Sequence, residues 1–82
     1  MNAFGSKTNL TLIDGKDGQR LVITRTEGDE ITWQALRFGI GAGSSIQVQK
    51  NIPGGPVVVL RNQLEIAIGR QLACLIQVAP SE

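Results

Sequence analysis

Five short aliphatic runs, four of them followed by a corner that contains glycine or proline, constrain this chain more than any other feature. Gln19–Thr26 (QRLVITRT), Ser45–Gln49 (SIQVQ), Pro56–Leu60 (PVVVL), Leu64–Ile68 (LEIAI) and Leu75–Val78 (LIQV) each hold too few residues for a stable helix. Each reads as a strand. Leu21 and Ile23 oppose Val22, Ile46 and Val48 alternate with Gln47 and Gln49, and Leu64, Ile66 and Ile68 point inward. Of 82 residues only three are aromatic (Phe4, Trp33 and Phe38), while apolar types make up 41%. Aliphatic side chains must therefore fill the interior, which suits pleated strands. Strand signals recurring every ten residues or so in one small domain suggest a small β-barrel or sandwich, whose closure hides the strand edges.

Ile31–Phe38 (ITWQALRF) is the one good helix candidate. Asp29 is placed to cap its N-terminus and Glu30 to favour the positive end of its dipole. Ile31 and Ala35 share a face, with Leu36 and Phe38 near it. Gly39 supplies a left-handed stop, after which Ile40 folds back onto the last turn. Gln71–Cys74 reads as one further helical turn. Asp14-Gly-Lys-Asp-Gly18 is turn chemistry, and residues 1–9 read as a flexible leader to a single domain over residues 10–80.

Balance and absence exclude several function classes. Eight basic residues against seven acidic ones leave a net charge of +1, so the basic excess of a nucleic-acid binder is missing. There is no histidine and one cysteine, which removes imidazole-based triads, the commonest transition-metal ligand and any internal disulfide. Cys74, between Ala73 and Leu75, reads as a buried inert thiol. Gly39-Ile-Gly-Ala-Gly43 imitates a dinucleotide fingerprint, but that motif needs a strand before it and a helix after it, and here the order is reversed. Asp14 does not open a calcium loop, because Arg25 stands at the twelfth position. The reading is no catalytic residue, no metal site and no cofactor. No signal peptide or membrane-spanning run is visible, which suits the cytoplasm.

What remains is a surface. Trp33 lies off the apolar stripe of its helix, either covering a seam or serving as an aromatic anchor, and Arg37 follows it four positions on. Gly54-Gly55, bracketed by Pro53 and Pro56, reads as a rigid hairpin corner with positive φ allowed at both glycines. Arg61 and Arg70 read as solvated charges first and partner contacts second. Unpaired edges of a small barrel also allow a homo-oligomer.

From the helix onward the sequence strings together Leu36-x-x-Gly39-Ile40, Gly43, Ile46-x-Val48, Gly55-Pro56-Val57 and Ile66-Ala67-Ile68-Gly69-Arg70-x-Leu72-Ala73. In order and spacing this resembles the FeoA family, small proteins of ferrous iron uptake, over roughly residues 10–79. The resemblance implies an SH3-like small β-barrel of about five strands with one inserted helix, in which Gly39, Gly43 and Gly69 are structural. It also implies a cytosolic partner surface for the membrane transporter FeoB, which carries a G-protein domain, with membrane association only through that partner. Two positions depart from the family pattern: Ala42 stands where proline is common, and Trp33 where a polar or charged residue is usual. The alternative is a stand-alone relative, or a fragment, of the C-terminal SH3-like domain of DtxR-type metal-dependent repressors. Met1 and the short length speak against the fragment.

Overall fold

The computed structural model describes residues 10–81; the expectation for residues 1–9 falls outside them. The chain runs β1 (Leu10–Thr11), a 3-10 turn (Leu12–Asp14), β2 (Arg20–Thr26), α1 (Asp29–Arg37), β3 (Ser45–Asn51), β4 (Val57–Arg61), β5 (Leu64–Ile68), α2 (Arg70–Ala73) and β6 (Ile76–Pro80). The expected strands are all present, with ends shifted by a residue or two. One more, β1, was not foreseen: a two-residue strand leaves no alternation to read.

All six strands form one antiparallel sheet in the order β1-β6-β2-β3-β4-β5. The pairing skips Thr24 in β2 opposite β6, and Gln49 in β3 opposite β4. Such bulges bend a strand and increase its twist, so the sheet curls around its own apolar face. Leu21, Ile23, Val48, Val57, Val59 and Ile76 fill that face with at most 1% exposure. The expected closure does not occur: β1 and β5 are the two edges and do not pair with each other. Helix α1 presents Ile31 and Ala35 to the core instead.

The helix begins differently from the reading above. Gly28, with a φ of 108°, is the N-cap, and Asp29 is already the first helical residue. The first turn still carries Asp29 and Glu30, which complement the dipole without capping it. Thr32 ties the start to the sheet, its hydroxyl lying 2.7 Å from both the Gly28 carbonyl and the Thr26 hydroxyl. The other end follows expectation. Gly39 has a φ of 75°, its N–H donates to the Leu36 carbonyl, and the Ile40 N–H donates to the Ala35 carbonyl at 2.8 Å. That is a Schellman stop, in which an αL residue lets the chain reverse and satisfy the last carbonyls.

The stop explains a mismatch. Ile40 swings beneath the helix end and is 2% exposed, so the core position is taken. Leu36 and Phe38 are left 58% and 51% exposed, not near the core. Leu64 is 52% exposed, because it abuts the Asn62-Gln63 turn past the end of the core, while Ile66 and Ile68 are buried as expected.

Candidate functional site

Helix α1 does not lie flat on the edge strand. Between them runs an apolar groove of about 230 Å³, walled by Ile31, Ala35 and Phe38 from the helix, Ala67 and Ile68 from β5, and Leu72 from α2. This is smaller than a typical small-molecule pocket, at roughly 300–1,000 Å³. Its walls bring no ionisable group. It can desolvate one or two apolar side chains and offers no acid, base or nucleophile. Phe38 stands at its mouth and also borders a shallow depression with Leu64. At the far end, Leu72 and Gly69 border a second depression shared with Gly54, Gly55 and Pro56. The groove therefore runs from Phe38 along β5 to the proline–glycine corner.

That corner is built more firmly than its composition implies. Pro53 and Gly54 occupy the centre of a turn closed by the Gly55 N–H donating to the Ile52 carbonyl at 2.8 Å. Only Gly54 takes a positive φ, of 73°, the arrangement of a type II turn. Gly55 is needed for another reason: a Cβ there would stand 2.9 Å from Ile52 Cγ2. Arg70 then holds the turn from α2. Its Nη1 lies 2.8 Å from the Ile52 carbonyl, 2.9 Å from that of Gly55 and 3.1 Å from Asn51 Oδ1. Asn51 in turn donates through Nδ2 to the carbonyls of Ile13 and Gly15, and its N–H donates to Asp17 Oδ1 at 2.7 Å. Sequence reasoning gave Asn51 no role and Asp17 only a place in a turn, because the bonds that join Asn51 to Ile13, Gly15 and Asp17 span more than thirty positions of the chain.

Arg61 is committed in the same way. Its Nε donates to the Gly39 carbonyl at 2.9 Å, and its Nη1 reaches the Ser45 carbonyl at 3.4 Å. It links the end of β4 to the stop of α1. The sequence predicts solvated charges first and partner contacts second for both arginines; both guanidiniums instead bind backbone carbonyls. Gly43 has the φ of 93° expected of a structural glycine. Gly69 does not, having a φ of −62° with open space where a Cβ would go.

Trp33 is 68% exposed, so it covers no seam. Arg37 is exposed on the same side of α1. Cys74 is exposed rather than buried: Ala73 takes the inward position of α2 at 0% exposure, and the next residue turns outward, its Sγ 3.2 Å from the Gln71 carbonyl. Among the described residues, no cluster of three or more potential metal ligands occurs and no polar side chain is buried. A depression at one end of the sheet, near Ser45, Gln47 and Asn62, has Arg20 as its single ionisable wall residue.

The family model for the FeoA domain matches residues 10–80. The chain belongs to the FeoA family. Its fold is that of a crystal structure of the iron uptake regulatory protein FeoA, with a TM-score of 0.83 and 23% identity over 90% of this chain and 100% of that one. A solution structure of FeoA from Chlorobium tepidum matches with a TM-score of 0.78 and 21% identity, covering 89% of this chain and 71% of the other. A manganese-dependent transcriptional repressor bound to manganese gives a TM-score of 0.81 at 17% identity, with 93% of this chain matching 38% of the repressor. The SH3-like architecture expected for the family is thus present, with the barrel left open between α1 and β5. No curated protein matches the sequence significantly.

Proposed function

We propose that this protein is a non-enzymatic accessory protein of ferrous iron uptake that works in the cytosol by binding the G-protein-bearing part of a FeoB-type transporter. Family membership supplies the setting. The observation that carries the reading is the apolar groove between α1 and β5, which runs on to the rigid Gly54–Gly55 tip. A groove of this size without charges suits one or two apolar anchor side chains from a partner, surrounded by backbone and polar rim contacts.

The experiment is a titration of the transporter's soluble cytosolic domain with this chain. Phe38→Ala removes the wall at the mouth and should weaken binding by about 1 kcal/mol, roughly fivefold in affinity. Ala67→Glu places a charge in the groove and should abolish binding, because a carboxylate cannot be desolvated there unpaired. Phe38 is 51% exposed and Ala67 is exposed, so each variant should keep its fold by circular dichroism. Wild-type affinity in both variants removes the groove from the interface.

The likeness to metal-dependent repressors supports a second reading, a repressor-type regulatory domain acting on its own. It is the weaker of the two, since this chain spans 34–48% of the repressors it resembles but the whole of one FeoA chain.

A further inference from the structure

The outward face of α1 points to a different partner. Ile31 and Ala35 set the inward direction of the helix. At 3.6 residues per turn, Trp33 lies about 180° from their midpoint, with Glu30 and Arg37 within about 60° of it. Trp33 is the single tryptophan of the chain. Among the described residues, neither Glu30 nor Arg37 makes an ion pair; those that occur are Arg25–Glu27 and Lys50–Asp17. Along the helix axis the face therefore carries a negative charge about one turn before a large exposed aromatic ring and a positive charge about one turn after it.

This arrangement is its own complement. Arg37 lies seven positions after Glu30, about 10 Å along the axis, and the midpoint falls beside Trp33 and Gln34. If a second α1 is laid antiparallel across a two-fold axis at that midpoint, Glu30 of each copy meets Arg37 of the other and the two tryptophans face each other. Antiparallel alignment also sets each helix N-terminus beside the other's C-terminus, which the dipoles favour. A parallel alignment would oppose like charges. An isologous contact needs one patch that matches itself, and this one does.

We propose that the protein self-associates as a two-fold dimer through the Glu30–Trp33–Arg37 face of α1. The helix has nine residues and is about 13 Å long, so the contact falls below the standard interface size and the dimer is transient and concentration-dependent. The face lies away from the groove that the transporter reading uses, so either can fail without the other.

The test uses this chain alone. Sedimentation equilibrium over roughly 10 µM to 1 mM spans the range in which so small an interface associates. The weight-average mass should climb from one chain toward two, while Trp33 emission shifts to shorter wavelength. High salt should weaken the association, as the flanking pairs are exposed. Trp33→Ala should stay monomeric throughout. Glu30→Arg alone and Arg37→Glu alone should each lose the dimer through like-charge contacts. An equimolar mixture of those two single variants should regain it, as should the double variant. A monomeric wild type across the whole range, single reversals that leave the dimer intact, or a mixture that stays monomeric would each overturn the proposal.

Discussion

Arg70 shows how much one side chain holds in a domain of this size. Its three acceptors belong to residues 51, 52 and 55, so it clamps the β3–β4 corner onto α2. A hydrogen bond to a charged group contributes about 1.5–3 kcal/mol, and less where solvent screens it. Arg70→Ala should lower stability by ~2 kcal/mol in urea denaturation, and amide exchange should quicken at Gly55, whose N–H closes the turn. Arg70→Lys should recover only part of this, since an ammonium lacks the flat fork of the guanidinium. A variant as stable as the wild type, with Gly55 protected as before, would make the clamp incidental. Gly54→Ala tests the same corner from the backbone side. A φ of 73° costs an L-residue ~1 kcal/mol, and the loss should appear as slower folding where the turn forms early and as faster unfolding where it forms late.

At the scale of the element, α1 is defined by its ends. The Schellman stop at Gly39 brings Ile40 into the core and leaves Phe38 out. Gly39→Ala forces a side chain into the left-handed region and should cost ~1–2 kcal/mol. A selective consequence follows for the groove: if Ile40 slips, Phe38 shifts, so binding at the groove should fall along with stability. A variant that binds normally after losing stability would separate the stop from the wall. The strands were legible because alternation survives in short runs such as SIQVQ and LEIAI, and the helix because Asp29, Ile31, Ala35 and Gly39 carry its local signals. The outward turn of Phe38 was not, because Ile40 competes for the same space and that competition is tertiary. Arg61 and Arg70 were misjudged for a related reason. All but one of their acceptors are backbone carbonyls, 15 to 22 positions away, and a carbonyl acceptor leaves no trace in residue identity; the other is the Asn51 side-chain oxygen. The groove itself arises from a failure of closure, which depends on where two edges end up rather than on any local pattern.

For the whole molecule, the open sheet makes the core unusually shared. β2 lies in the middle of the order, pairing with both β3 and β6, and its Ile23 is 0% exposed. With no disulfide available to a chain with one cysteine, stability rests on packing, and a domain of this length commands only ~4–12 kcal/mol in total. Ile23→Ala deletes three methyl-equivalent carbons at the point where both halves of the sheet meet, and should cost ~3 kcal/mol. In a thermal melt that is a drop of roughly 15 °C. Because a single core serves both halves, the transition should remain one cooperative step, with circular dichroism and Trp33 fluorescence reporting the same midpoint. Separate midpoints would mean that α1, which bears the tryptophan, unfolds independently of the sheet. The groove would then be a hinge between two weakly coupled parts instead of a gap in one rigid wall.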